Sequence, residues 1–190
     1  MNGHEFTLSD GSIRLRPPVS ADSQAIYEAV VESLADLNPW MSWAHDRYSI
    51  NDAIEWINDT RKSWVDGDIY NFLITEAKNG AIFGTSGFVI NSKLYRFGNL
   101  GYWVRTGARG NGIAVRAARL VAQFSFEKLA MLRVEIVIAE GNRASLRVAE
   151  KLGALREGLL RNRIKVGDNV YNAWMHSFIP QDFGFEVRNL

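Results

Sequence analysis

The segment 100–139 changes its hydrophobic periodicity twice, and it therefore predicts a strand, a helix and a second strand in that order. Residues 100–106 have the pattern of a strand, and the turn 107–112, which contains three glycines, separates this strand from the helix. The apolar positions of the helix recur with the spacing of one helical face, and they are Ile113, Ala117, Leu120, Val121 and Phe124. Residues 133–139 are nearly all apolar, which is typical of a buried strand. Such a unit connects two parallel strands through a right-handed crossover.

The segments before this unit predict two helices and a β-meander. A short strand over 12–15 comes first, a helix follows, and Asn51 can cap a second helix. The positions expected to face inward are Ile26, Val30 and Leu34 on the first helix, and Ile54, Ile57 and Trp64 on the second. Residues 70–74 then alternate with period two, Asn79-Gly80 predicts a hairpin turn, and 81–91 is the return strand.

The segments after the unit predict one more helix and a final hairpin. Asn142 can cap this helix and Gly153 can end it. The hairpin spans about 154–179 and turns at Gly167-Asp168. The predicted order is β-α-α-β-β-β-α-β-α-β-β, an α+β fold with a mixed α/β sheet and helices on both faces. No repeat or linker interrupts the chain, so residues 1–190 are expected to form a single domain.

Composition excludes several functional classes. The chain has 22 basic and 21 acidic residues, so its net charge of +1 gives no reason to expect nucleic acid or an anionic membrane as a partner. It contains no Cys and only three His (His4, His45, His176), so no metal site is expected. Met1–Glu5 do not begin a signal peptide, and no run of 18 apolar residues occurs. We therefore expect a cytoplasmic protein; a homodimer is among the states that the sequence allows.

The glycine-rich turn is the segment most informative about chemistry. Its glycines let the backbone approach a ligand, and the first N–H groups of the following helix have no partner within the helix. Together they form a cradle for an anion such as phosphate. The P-loop motif is excluded because Ile113 and Ala114 stand where its Lys and Ser/Thr belong. A dinucleotide fingerprint is disfavoured because Val115 replaces its third glycine and no second βαβ half is present.

The spacing Arg-x-x-Gly-x-Ala over Arg109–Ala114 resembles the pyrophosphate loop of the GCN5-related N-acetyltransferases. The strand Leu100-Gly-Tyr-Trp-Val104 and the pattern Asn142-Arg-Ala-Ser145 resemble a branch of that superfamily. This branch contains the ribosomal-protein alanine N-acetyltransferases (RimJ/RimL-like). The continuation Glu150-Lys-Leu-Gly153 fits it too. The similarity covers roughly 12–178 and its motifs are densest over 100–158.

The resemblance implies acetyl-CoA as cosubstrate and the roles of individual residues. Strand backbone groups would pair with the pantetheine arm, loop N–H groups would hold the pyrophosphate, and Asn142 would contact the cofactor. The implied cofactor-binding residues are Tyr102, Trp103, Val104, Arg109, Gly110, Asn111, Gly112, Ile113, Ala114, Val115, Asn142 and Ser145. Ser145 would also protonate the leaving thiolate. Arginines that could face the phosphates are Arg109, Arg116, Arg143 and Arg147, although a solvated helix face explains each of them as well.

The chain departs from the family pattern in its acid and base groups. A Tyr that many relatives carry seven residues after the Asn is Ala149 here, and the Glu that often precedes the Gly-Tyr-Trp motif is Asn99. Glu140 is the catalytic carboxylate predicted beside Ser145, with Glu135, Glu76 and Asp46 as weaker base candidates.

An amine acceptor is expected between the first two helices and the loop 38–46. The residues predicted to contact it are Trp40, Trp43, His45 and Asp46, for which core packing or a solvated loop are the competing explanations. The expected acceptor is the α-amine of a protein N-terminus or of a small molecule. Two alternatives remain open: an acetyltransferase for an antibiotic, polyamine or amino acid, whose pocket would contain several carboxylates, and a non-catalytic acyl-CoA-binding module.

Overall fold

The computed structural model describes residues 6–186. Its strands are β1 (Leu8–Ser9), β2 (Ile13–Arg16), β3 (Ile69–Glu76), β4 (Ile82–Ser92), β5 (Phe97–Val104), β6 (Arg133–Ala139), β7 (Leu155–Val166) and β8 (Asn169–Phe178). Its helices are α1 (Ser23–Leu37), α2 (Ile50–Asp66), α3 (Ile113–Glu127) and α4 (Arg143–Leu152). Met1–Glu5, for which no signal peptide was expected, lie outside the described residues. The extent of the domain, 1–190, stays a prediction.

The eight described strands form one sheet in the order β1-β2-β3-β4-β5-β6-β8-β7. All neighbours are antiparallel except β5 and β6, which are parallel. The β5–β6 register covers only the pairs from Phe97↔Arg133 to Asn99↔Glu135. Beyond the pair Asn99↔Glu135, β5 continues to Val104 and β6 to Ala139, but the two strands no longer pair with each other. The two strands therefore separate, and a cleft opens between them.

Helices cover both faces of the sheet and define two apolar cores. Because side chains alternate along a strand, neighbouring residues of β3 contribute to different cores. Phe72 and Ile74 join Phe88 and Leu100 beneath α3 and α4, whereas Leu73 joins Ile82 and Trp103 beneath α1 and α2. The predicted mixed α/β sheet with helices on both faces is confirmed. Within residues 6–186, no helix has the length and apolar character needed to cross a bilayer.

The structure corrects two details of the second helix. Its cap is Ser49 rather than Asn51. The N–H of Ser49 donates to Asp52 Oδ2 at 2.8 Å as part of a capping box, and Ser49 Oγ donates to the same oxygen at 2.5 Å. Ile54, predicted to face inward, is 42% exposed, and the buried face is formed by Ala53, Ile57, Thr60 and Trp64. The buried positions 53, 57, 60 and 64 follow the i, i+4, i+7 and i+11 spacing of one helical face, and Ile54 lies to one side of that face.

Candidate active site

The outer edge of β5 offers unpaired backbone groups to the cleft. Arg105 N–H donates to the Phe83 carbonyl at 2.7 Å, and antiparallel pairing alternates from residue to residue along β5. The peptide groups of Trp103 therefore point toward β4. Those of Tyr102 and Val104 point toward the cleft, where β6 no longer pairs. An extended ligand can therefore form hydrogen bonds with this edge, as an additional strand of the sheet would.

The turn after β5 presents a row of free N–H donors. None of the N–H groups of residues 110–115 donates to an acceptor within 6–186. Gly110 (φ +84°) and Gly112 (φ +71°) adopt the left-handed region that favours glycine, and a Cβ on either would meet no atom within 4 Å. The Asn111 side chain braces the turn by donating to the Ala108 and Arg109 carbonyls at 3.3 and 3.4 Å. The turn is thus open on one side and ends at the positive pole of α3.

Side chains of α1 anchor the start of this turn. Glu32 pairs with Arg105 and accepts from Gly107 N–H at 2.8 Å, so the pKa of Glu32 lies below its usual value. Thr106 donates to Asp36 Oδ2 at 2.6 Å. Arg109 forms an ion pair with the same carboxylate at 2.5 Å. Both contacts, the Thr106 hydrogen bond first, lower the pKa of Asp36. The Arg109 guanidinium is thus engaged by a protein carboxylate rather than left free for phosphate.

Two hydroxyl groups meet at the inner end of the cleft. Tyr102 Oη lies 2.9 Å from Ser145 Oγ and 3.3 Å from the Ser145 carbonyl oxygen. Asn142 Oδ1 accepts from Ser145 N–H at 3.1 Å, which caps α4 and leaves the Asn142 amide nitrogen free to contact a ligand. Burial raises the pKa of Tyr102 to about 12, and the Ser145 contact opposes this in part. The phenol therefore keeps its proton throughout the neutral pH range.

The cleft contains two cavities that meet at β5. The first, of about 440 Å³, lies beside α3 and α4 and is lined by the glycine-rich turn, Asn142 and Ser145. The second, of about 480 Å³, lies beside α1 and α2. Met41, Tyr102 and Trp103 line both cavities. A reaction between a ligand in one cavity and a ligand in the other would therefore take place at the level of these three residues.

The second cavity combines aromatic rings with carboxylates. Its aromatic lining consists of Trp43, Tyr48, Trp56, Tyr102 and Trp103. The Trp43 ring lies 6.0 Å from Trp103 and 6.2 Å from Tyr48 between centroids. The carboxylates Asp52, Glu55 and Asp59 all come from α2. His45, with Nε2 4.0 Å from Asp52 Oδ1, also lines this space.

The structure brings most of the predicted site residues together. Of the predicted cofactor-binding set, all but Asn111 line the first cavity, and Asn111 braces its wall. The predicted acceptor residues are divided: Trp43 and His45 line the second cavity, whereas Trp40 lines the first. Asp46 lines neither cavity and is exposed.

The predicted catalytic carboxylate lies apart from the hydroxyl pair. Glu140 is exposed, accepts from the Asn172 amide at 3.2 Å and lines neither cavity. Of the arginines considered for phosphate, Arg116 pairs with Asp10, Arg143 does not line the cavity, and Arg147 does line it. Within 6–186, no group of three His, Asp or Glu side chains is arranged to hold a metal ion.

Sequence reasoning missed three elements of the site. For Tyr102 the sequence analysis predicted a role of the backbone alone. Side chains alternate along a strand, so Tyr102 faces the same side of the sheet as the buried Leu100, which is the side covered by α4. Lys151 lines the first cavity one helical turn after Arg147, a spacing that the sequence shows directly. The carboxylates of α2 also share one helical face, but nothing in the sequence shows that this face borders the cleft.

The split sheet, the free N–H donors and the hydroxyl pair define the site of an acyl-transfer enzyme that holds an anionic cosubstrate. Residues 12–155 match the sequence profile of the Acetyltransferase (GNAT) domain, and the chain belongs to this family of acetyltransferases. The resemblance seen in the sequence motifs is thereby confirmed.

Similar proteins carry related names. A Bacillus subtilis (strain 168) protein with the provisional name ribosomal N-acetyltransferase YdaF is 27% identical over 173 residues, which cover 90% of this chain and 92% of the relative. A Vibrio cholerae structure, provisionally named a ribosomal-protein-serine acetyltransferase, is 25% identical with a TM-score of 0.83 and covers 93% of this chain and 99% of its own. Mycobacterium smegmatis RimJ in complex with CoA-disulfide has a TM-score of 0.85 at 20% identity, over 97% of this chain and 92% of its own. At that identity the likeness shows the fold.

Proposed function

We propose that this protein transfers the acetyl group of acetyl-CoA directly to a primary amine. The observation that supports this most strongly is the continuous path from the free N–H groups of 110–115, along the open β5 edge, to the Tyr102–Ser145 hydroxyl pair. An anion-binding turn, a strand edge and a proton donor follow one another in the order needed to bind a diphosphate, an amide-containing arm and a thioester.

The residues of the first cavity suit coenzyme A. The donors of the glycine-rich turn would hold the diphosphate, and the backbone groups of Tyr102 and Val104 would pair with the pantetheine arm. Arg147 and Lys151 add positive charge to the same wall. Bound acetyl-CoA would supply the acetyl group as an activated thioester. The complexes reported for structural neighbours, such as RimJ with CoA-disulfide, support the same ligand.

The hydroxyl pair supplies the acid in this proposal. Attack by a neutral amine breaks the carbon–sulfur bond, so a proton must reach the departing thiolate. Ser145 Oγ–H can donate it, and Tyr102 Oη, 2.9 Å away, can return a proton to Ser145. The proton that the amine loses passes to water or to a group of the second cavity.

Among residues 6–186, no carboxylate forms a hydrogen bond with Tyr102 or Ser145, and this favours an acceptor that is easily deprotonated. An α-amine with a pKa near 8 is neutral in roughly a tenth of its copies at pH 7, whereas a lysine amine near 10.4 is neutral in only about 0.04%. The difference corresponds to roughly 3 kcal/mol. We therefore propose that the acceptor is an α-amine, of a protein N-terminus or of a small molecule. The ribosomal names of the relatives favour the first of these.

Acetyl transfer is tested by the release of free thiol from acetyl-CoA in the presence of an amine panel. The panel contains short peptides with free or blocked N-termini and peptides whose only amine is a lysine side chain. We expect thiol release with free N-termini and mass spectra that place the acetyl group on the α-amine. A protein that binds acetyl-CoA but releases no thiol with any amine is a non-catalytic binding module, and the proposal is then wrong. A preference for lysine side chains would contradict the choice of an α-amine.

A further inference from the structure

The second cavity contains negative charge that its own lining does not balance. Asp52, Glu55 and Asp59 line it, and the lining includes neither Lys nor Arg. His45 is the one lining side chain that can become cationic. The three carboxylates are spaced i, i+3 and i+7, which places them on one face of α2 over about 10 Å of helix axis. Asp52 is half-buried, whereas Glu55 and Asp59 are exposed and one helical turn apart, a spacing at which like charges repel each other.

Two of these carboxylates have no structural task. Asp52 caps α2 by accepting from the N–H and Oγ of Ser49, and these bonds lower its pKa. Glu55 and Asp59, in contrast, form no side-chain hydrogen bond or ion pair with any group of residues 6–186. Their charges are available to a ligand in the cavity.

Two independent features of the same cavity favour a ligand with cationic N–H groups. The rings of Trp43, Tyr48 and Trp56 line it, and the faces of aromatic rings attract ammonium and guanidinium groups. Asn99, on the opposite wall, has a buried Oδ1 that accepts no hydrogen bond from any group in the described range. A buried acceptor without a donor is unfavourable because it has lost its hydrogen bonds to water. A small movement of this amide would let a ligand N–H satisfy it.

We propose that the acceptor carries a second cationic group, an ammonium or guanidinium, in addition to the amine that is acetylated. This inference rests on the proposed function and names the acceptor class for the same site. The volume of about 480 Å³ lies in the range of small-molecule sites, so the cavity admits the first residues of an extended N-terminus or a small amine, and the second cation lies close to the amine that reacts.

The second cation and the reacting amine occupy different ends of the cavity. A carboxylate beside an ammonium favours its charged form, and only the neutral amine can attack a thioester. The carboxylates are on α2, which packs against α1 and β3, whereas the hydroxyl pair is reached from β5. The Glu55 and Asp59 side chains can therefore hold the remote cation without protonating the amine that reacts at Tyr102.

The test compares acceptors that differ only in the remote charge. One arm uses tripeptide amides that begin with the same residue and have Arg, an uncharged residue or Glu at the second position. The other arm compares lysinamide with norleucinamide, which share the α-amine and differ in the remote charge, and the two arms distinguish a peptide from a small molecule as the source of the cation. Thiol release gives kcat/KM for each acceptor. We expect the cationic member of a pair to exceed the uncharged one by about tenfold, since a partly exposed ion pair contributes up to about fivefold per carboxylate.

Variants of α2 connect this preference to the proposed residues. In a Glu55→Gln, Asp59→Asn double variant, the ratio of kcat/KM between cationic and uncharged acceptors should fall toward one. Glu28→Gln is the matched control, because Glu28 is an exposed carboxylate of α1 that lines neither cavity. Added salt should reduce the ratio in the unmodified protein.

Equal kcat/KM for cationic and uncharged acceptors in the unmodified protein would overturn the inference while leaving the proposed function intact. A preference that persists in the double variant would also overturn it. No thiol release with any amine would instead refute the proposed function. Thermal melts of both variants show whether the fold is retained.

Discussion

Replacing Gly112 by Ala separates the cost of backbone strain from the loss of cosubstrate binding. Gly112 has φ +71°, and an added Cβ meets no atom within 4 Å. The only loss in the free energy of unfolding is therefore the strain of an Ala in the left-handed conformation, about 1 kcal/mol. Gly80 in the β3–β4 hairpin provides the matched control, with φ +78° and equally open surroundings. Both Ala variants should therefore lose about the same free energy of unfolding in a denaturant titration.

The two variants should differ in their affinity for coenzyme A. The open space at Gly112 lies over the N–H donors of 110–115, where we place the diphosphate. A methyl group there would disturb about two charge-assisted hydrogen bonds, worth roughly 1.5 kcal/mol each at the lower end of their range. The dissociation constant measured by calorimetry should rise about 100-fold for Gly112→Ala, at 1.4 kcal/mol per factor of ten. Equal dissociation constants for the Gly112 and Gly80 variants would refute the assignment of this turn as the diphosphate site.

Three further predictions concern catalysis, packing and pH. Ser145→Ala should reduce kcat at least tenfold, with a smaller effect on KM for acetyl-CoA, and Tyr102→Phe should reduce kcat as well; unchanged kcat in both variants would exclude the hydroxyl pair as the acid. Gly84→Ala should reduce the free energy of unfolding by about 3 kcal/mol, because the added Cβ would lie 2.1 Å from a carbonyl oxygen of β5. The melting temperature should fall accordingly, and a value within a degree of the parent would contradict this packing. Arg133 and, secondarily, Ser177 lower the pKa of Glu157 to about 2. The Glu157 carboxylate therefore stabilises the fold fully above its ordinary pKa of 4.5, and this contribution is lost as the pH falls toward 2. In Glu157→Gln the free energy of unfolding should change less between pH 4.5 and 2 than in the parent.

The order of the elements could be predicted because it depends on local patterns. Alternation over β3 and β4 and helical spacing over α3 each lie within one segment, and the two-strand crossover follows from general rules of handedness. The cap of α2 was misplaced because Ser49 and Asn51 are both suitable caps. The capping box with Asp52 favours Ser49. Ile54 was misplaced for a separate reason: Ala53, a small residue, occupies the buried position of that turn, and Ile54 lies beside it at the surface.

The catalytic part of the site was less predictable because its residues are distant in the sequence. Tyr102 and Ser145 are 43 positions apart, and only the packing of α4 on the sheet brings their oxygens to 2.9 Å. Glu140, the predicted carboxylate, directly follows β6, and its side chain accepts from the Asn172 amide and lines neither cavity. Local sequence patterns therefore placed the residues of the glycine-rich turn along one cavity, whereas the roles of the site residues, those of proton transfer included, stay predictions.

In the arrangement that we propose, the acyl donor and the acceptor both contact β5, because this strand lines both cavities. Tyr102 and Trp103 are neighbours in the chain and each borders both compartments, so a substitution in this strand alters the handling of both reactants together. Residues of α2 line the second cavity, where we place the acceptor, and none of them lines the first cavity. Changes on α2 can therefore retune acceptor choice during evolution or engineering while the machinery for the acyl donor stays intact.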